Sequence, residues 1–299
     1  MKNITDRHRL HRIYLSLPLA SFTLTLDPSK ITDNLTSFLN CLRIQPHVIA
    51  LTETWLTDTN QHHFHLAGYS TYHSLRMNKE HGGVSLLINS DIHSEPVHQH
   101  TFVNETMEIC TVQLKLQTNL IISVIYRPHS KHVAVEEFTL TLTDILTQNT
   151  FTKNNTILLG DLNINPLEHA SHQPTNNFLN TMQALNYFPH ISRPTRFPDN
   201  PILGQPSLLD HIWTNYTPLS ISGIIHHPIS DHLPIFLNIS LMSDLSAKHK
   251  ITFRISNAHN HNLFTSDLAS IRLSLLLCFH CPLLCFYCLP NIPFSQLHL

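Results

Sequence analysis

The stretch Thr156-Ile157-Leu158-Leu159-Gly160-Asp161-Leu162-Asn163 constrains the chain more than any other. A short apolar run ends in a Gly, then an Asp, then an Asn two positions on. The run reads as a buried strand. Strand side chains alternate with period two, so Asp161 and Asn163 are expected on one side of its carboxyl end. Carboxyl ends of strands in α/β sheets are where ligands and chemistry collect. Gly, Asp and Asn are also turn formers, and a plain turn is the competing reading.

Similar runs recur along the chain. Residues 13–26 alternate apolar and small side chains and can form a first strand. Asp27-Pro28 resembles a helix start, with Ile31, Leu35, Phe38, Leu39 and Leu42 following at helical spacing. A short buried strand over 47–52 runs directly into Glu53-Thr54-Trp55. Strands are expected over 68–73, 83–88, 107–116 and 120–126, the last ending in Tyr126-Arg127-Pro128. A second amphipathic helix carries Val135, Phe138, Leu142 and Ile145, and a third carries Phe178, Leu179, Met182 and Leu185. The Pro-rich segment 189–206 reads as a loop, and strands follow over 207–214 and 234–241. Strands outnumber the helices mixed among them, which favours a layered α/β sandwich. Residues 1–242 are taken as one domain. Residues 243–299 read as a polar linker and an apolar Cys/Leu-rich tail, not a domain.

Composition narrows the function classes. Charged residues are only 13% of the 299, and the net charge is −2 with His neutral, so nothing pulls the chain as a whole toward nucleic acid at pH 7. Contact with DNA must rest on local groups. The 25 His would make the chain basic at low pH. Cys278, Cys281, Cys285 and Cys288 lack the intervening loop of a zinc ribbon. The apolar stretch holding them is short and broken by Pro282, so no membrane association is expected. Lys2, Arg7, Arg9 and Arg12 before an apolar stretch faintly resemble a signal peptide, but Pro18 interrupts it. A nuclear or cytoplasmic location is the expectation.

Glu53, Tyr126, Asp161 with Asn163, Asp210, and Asp231 with His232 all stand at strand ends or adjoining loops. Each has a bland reading alone; their recurrence is the signal. A hard divalent cation takes carboxylate oxygens, which Glu53 and Asp231 can supply. Hydrolysis of a phosphodiester needs a base for the attacking water, and Asp161 fits, with Asn163 fixing its orientation. His232, polarised by Asp210, and the Tyr126 hydroxyl can serve the developing charge on phosphorus oxygens.

In order, Leu51-Thr52-Glu53-Thr54-Trp55-Leu56, Gly82-Gly83-Val84, Tyr126-Arg127-Pro128, Gly160-Asp161-Leu162-Asn163, Leu209-Asp210-His211-Ile212 and Ser230-Asp231-His232 resemble the exonuclease–endonuclease–phosphatase superfamily. The likeness is greatest to the endonuclease domain of LINE-type (non-LTR) retrotransposons and spans about residues 25–242. It implies a four-layer sandwich of two mixed β-sheets flanked by helices, like that of deoxyribonuclease, and Mg²⁺-dependent nicking of DNA, with Mn²⁺ as an alternative ion. It makes Glu53 a metal ligand, with Asp231 near the metal or the leaving group, and pairs Asp210 with His232. Thr195 and Ser230 are expected on the substrate side, Thr195 matching a Thr that buttresses the site. DNA is the implied partner; no stable protein partner is expected. The sequence departs from the pattern at its start: the family's first strand ends in a catalytic Asn, where Thr23 and Thr25 stand here. The usual Asp-Arg pair before the glycines is Leu75-Arg76. An impaired remnant of such a domain, or a phosphoesterase acting on a soluble substrate, are the alternatives.

Overall fold

Largely apolar segments become the centres of two sheets in a computed structural model of the chain. It describes residues 14–23, 31–76, 82–129, 134–198, 204–216, 220–227 and 230–242. All fall in the first of two units, Met1–Ser243. The Asp27-Pro28 helix start and the 243–299 tail lie outside the described residues.

The first sheet has the order β12-β13-β1-β2-β4-β3, built from β1 (Tyr14–Thr23), β2 (Val48–Thr52), β3 (Tyr69–Ser74), β4 (Val84–Asn89), β12 (Ser220–Ile224) and β13 (Ile235–Met242). The second runs β10-β11-β9-β8-β7-β5. Its strands are β5 (Ser94–Pro96), β7 (Glu108–Leu114), β8 (Leu120–Tyr126), β9 (Asn155–Asp161), β10 (Phe188–Pro189) and β11 (Asp210–Thr214); β6 (Phe102–Val103) pairs β7 alongside. Each sheet has one parallel pair, β1 with β2 and β8 with β9, and the remaining pairs are antiparallel. Parallel neighbours need a crossover. The chain supplies α1 (Ile31–Leu42) for the first, and α2 (Val135–Leu146) with the short α3 (Asn149–Thr152) for the second. A further helix, α4 (Gln173–Ala184), follows β9.

Three apolar layers hold these elements. Between the sheets, Val48, Ala50, Val84 and Leu86 meet Val112, Ile122, Val124 and Leu159. On the outer face of the first sheet, Ile49, Leu51 and Leu87 pack with Ile31, Leu35 and Phe38 of α1. On the outer face of the second, Ile121, Ile125, Leu158 and Trp213 pack with Phe138 and Leu142 of α2 and Phe178 and Met182 of α4. Helix, sheet, sheet and helix make four layers. Both faces of the central strands are covered, which is why β2 and β8 are buried at every position and carry no alternation.

The expected elements are found with shifted ends: the third helix begins at Gln173, and the strand expected over 207–214 is ladder-paired only from Asp210. The Pro-rich loop also makes isolated bridges, Arg196 with Ser207 and with His232. Strands β5, β6, β10 and β12 were not anticipated. They are two to five residues long, and two of them contain Pro, so neither length nor periodicity announces them.

Candidate active site

The topology gathers polar groups at one rim. Glu53 directly follows β2, Tyr126 closes β8 and Asp161 closes β9. The antiparallel neighbours begin there: Asp210 opens β11 in register with Asp161, and Glu108 opens β7 in register with Tyr126. His232 lies just ahead of β13, bridged to Arg196.

Gly160 delivers Asp161 to this rim. Its φ is +136°, and a Cβ there would stand 1.9 Å from the Ile125 carbonyl oxygen. Asp161 is buried, and its Oδ1 accepts the N–H of Asn163 at 2.9 Å. The period-two argument for Asn163 does not hold. The strand ends at Asp161, and Asn163 has a left-handed φ of 48°. An Asx-type turn brings the two together. Arg127 locks the turn: its Nη1 donates to the Asn163 carbonyl at 3.0 Å, and Asn163 Nδ2 donates to the Arg127 carbonyl at 2.8 Å.

Asp210 and His232 form a buried pair, with Oδ2 2.8 Å from Nδ1. With Asp161 they place three ligand-type atoms within 4.8 Å of one another. Burial pushes the Asp161 carboxyl well above its ordinary value, and the charge of Asp210 adds to this, while His232 works the other way. Burial opposes charge on His232, but the hydrogen bond and charge of Asp210 outweigh it and raise the imidazole to about 9. His232 is therefore an imidazolium at neutral pH. Its folded value lies above its unfolded 6.5, so the stability it adds is full below pH 6.5 and lost as pH rises through about 9. His232→Gln should accordingly cost on the order of 1–3 kcal/mol at pH 6 and much less at pH 9.5. Urea unfolding at both values checks this, and a pH-independent difference would refute the linkage.

Thr195, expected on the substrate side, is fully buried behind this pair. Its Oγ1 accepts the N–H groups of Leu209 and Asp210, and its carbonyl accepts Leu233 N–H. It is a buttress joining the start of β11 to the approach of β13. Ser230 Oγ accepts the His232 N–H at 3.2 Å. Asp231 is exposed and forms an ion pair with Arg196 at 3.1 Å.

On the other side of the rim, the Tyr126 hydroxyl donates to Glu53 Oε1 at 2.6 Å. Burial pushes this hydroxyl far up, and the charge of Glu53 adds to it, so it stays a donor. Glu53 and Trp55 have φ of 54° and 52°, a conformation costing non-glycine residues about 1–3 kcal/mol each. Glu108, which no motif contains, lies fully buried beside them, paired with Arg76 at 2.6 Å. Burial raises its carboxyl above the usual range, with Arg76 pulling it back. An acid inside a largely apolar strand was the only sequence signal for it.

The fold and rim define an α/β sandwich of the deoxyribonuclease-like kind. Residues 25–232 match the Endonuclease/Exonuclease/phosphatase family, and the chain belongs to that family. Solved structures similar to it include the AP endonuclease from Archaeoglobus fulgidus, at 14% identity and a TM-score of 0.54, covering 75% of this chain and 99% of that one. D. rerio TDP2 complexed with single strand DNA product matches at 14% identity and a TM-score of 0.54, covering 75% and 98%. A variant of the 3' phosphatase NExo from Neisseria, bound to product DNA hairpin, matches at 15% identity and 0.52, covering 76% and 99%. At these identities they show the shared fold. Among curated proteins no sequence matches. No helix among the described residues is long and apolar enough to cross a membrane.

Proposed function

We propose that the chain is a divalent-metal-dependent DNA-nicking endonuclease of the kind found in LINE-type retrotransposon proteins. The observation that carries this reading is the convergence at one rim of Glu53–Tyr126, Asp161–Asn163 and Asp210–His232. The LINE assignment is supported by the Glu53-Thr54-Trp55-Leu56 and Tyr126-Arg127-Pro128 forms. Arg127 holds the Asn163 turn through paired hydrogen bonds. DNA as substrate is supported by the DNA-bound relatives of the same fold.

The donor set fits a hard cation. Glu53 adds to the charge that raises both Asp161 and Glu108, so the site concentrates anionic oxygen. We assign Glu53 as the principal protein ligand to Mg²⁺, or to Mn²⁺ in its place, with Asp231 on the exposed rim. When bound, the ion supplies Lewis-acid polarisation of phosphate oxygens. Asp161, its carboxyl raised by burial and by the charge of Asp210, accepts a proton from the attacking water, and Asn163 orders the turn that aims it. The His232 imidazolium, held by Asp210 at Nδ1, donates through Nε2 to oxygens on phosphorus as negative charge grows there, while the single Tyr126 hydroxyl proton goes to Glu53. Purified protein with Mg²⁺ should convert supercoiled plasmid to nicked circles, and EDTA should abolish this. Supercoiled plasmid left intact with either Mg²⁺ or Mn²⁺ sinks the reading of an active enzyme.

One observation favours an impaired variant of the same enzyme. Thr23 ends β1 in register with Thr52, the residue before Glu53, at the rim where the resembling family carries Asn. Thr23→Asn should then raise the nicking rate by about tenfold or more, given that one positioned polar donor at a reacting centre is worth about 10²–10³ at most. Unchanged rates for Thr23→Asn and Thr25→Asn would count against impairment at this position.

A further inference from the structure

We propose that Glu108 is a positioning residue for Glu53, acting through the Gly82-Gly83 backbone; this rests on Glu53 being a metal ligand. Glu108 is fully buried at the start of β7, where its Oε2 accepts the Gly83 N–H and its Oε1 meets Arg76. The glycine backbone sits directly on the carboxylate: a Cβ added to Gly82 would stand 2.5 Å from Glu108 Oε1. The carbonyls of the same two glycines accept the N–H groups of Trp55 at 2.8 Å and Thr54 at 3.1 Å. These bonds grip the turn in which Glu53 and Trp55 hold left-handed backbone. Non-glycine residues keep that conformation only where their surroundings dictate it.

A second handle reaches Glu53 from the same place. Glu108 is the cross-strand partner of Tyr126, whose hydroxyl donates to Glu53 Oε1. The backbone of Glu53 is thus fixed by the glycines seated on Glu108, and its carboxylate by the tyrosine beside Glu108. Arg76 balances the buried charge, which accounts for an Arg at that point even though the Asp that usually precedes it is Leu75. Partners that orient a metal ligand in this way contribute to affinity without touching the ion.

The test is Mn²⁺ binding by the full chain without substrate, read by electron paramagnetic resonance of the free ion. Glu108→Gln turns an amide NH₂ toward Arg76 or toward Gly83 N–H, and should weaken Mn²⁺ affinity about 10–100-fold. The double variant Arg76→Leu, Glu108→Leu removes the ion pair without leaving a lone buried charge. It should lose affinity to the same degree, and it decides the matter should Glu108→Gln fail to fold. Val112→Ala, in the inter-sheet core of the same strand, should lower thermal stability and leave Mn²⁺ affinity unchanged. Affinity within twofold of the parent in Glu108→Gln and the double variant, or an equal loss in Val112→Ala, overturns the proposal alone, provided Glu53→Gln is weakened. A parent chain that binds no Mn²⁺, or Glu53→Gln with unaltered affinity, overturns the metal assignment and this proposal with it.

Discussion

Replacing Asp161 with Asn is expected to lower nicking by about 10²–10⁴-fold while making the metal-free protein more stable at neutral pH. The two effects have one source. Asp161 is buried beside Asp210, and both burial and that neighbour hold its carboxyl well above 3.8. The folded state therefore favours the protonated acid. Below about pH 3.8 the group is protonated folded or unfolded, and the substitution changes little. As pH rises through the raised value, ionisation costs the native state free energy that the neutral Asn does not. Asn can still accept the Asn163 N–H that Asp161 Oδ1 accepts now, so the turn survives and the loss of activity reports on the base. Plasmid nicking and urea unfolding at pH 7.5 read the two effects separately. Nicking that persists in Asp161→Asn and Asp161→Ala removes Asp161 as the base. A stability loss in Asp161→Asn removes the argument that its charge is held at a cost.

Some of this site was legible in the sequence, and the division has physical causes. Asp161 and Tyr126 could be placed because each ends a run whose apolar continuity marks a strand buried on both faces, and a strand end is a defined place in a sheet; Asp210 was expected inside a strand over 207–214 and instead opens β11. A layered α/β sandwich followed from the same runs with three amphipathic stretches among them; that it has four layers was implied by the family resemblance. Asn163 was placed by the wrong rule. Period two governs residues inside a strand, and its position depends on an Asx-type turn and on Arg127, 36 residues away in sequence. Thr195 was expected on the substrate side, matching a Thr that buttresses the site, but the loop folds back between β11 and β13, and its side chain accepts the backbone N–H groups of Leu209 and Asp210. Glu108 carried only the weak signal of an acid among mostly apolar strand residues. A Glu at the start of a strand ordinarily reads as solvated. It is buried here only because Arg76 and the Gly83 amide, 32 and 25 residues earlier, arrive as its partners. Pairings across such distances leave no local pattern.

Gly160→Ala should destabilise the protein by about 3–5 kcal/mol, a larger stability effect than that of any substitution considered above. Two costs add at this residue. Its φ of +136° is one that residues with a side chain rarely adopt, and the Cβ would meet the Ile125 oxygen at 1.9 Å and its carbonyl carbon at 2.9 Å. Those are backbone atoms of the neighbouring parallel strand and cannot rotate away. Relief would require β8 and β9 to separate where the Arg127 N–H bonds the Asp161 carbonyl, which would displace Asp161 from Asp210. Gly68 separates the two contributions. Its φ of +83° is also left-handed, but nothing lies within 4 Å of an added Cβ, so Gly68→Ala should cost only the backbone share, about 1–2 kcal/mol. Urea unfolding of both variants measures the difference. Equal losses would mean that close contact at Gly160 contributes nothing, and that the apolar run can present Asp161 with any small residue before it. A larger loss at Gly160, with nicking falling further than stability alone explains, would tie this glycine to the placing of the carboxylate that follows it.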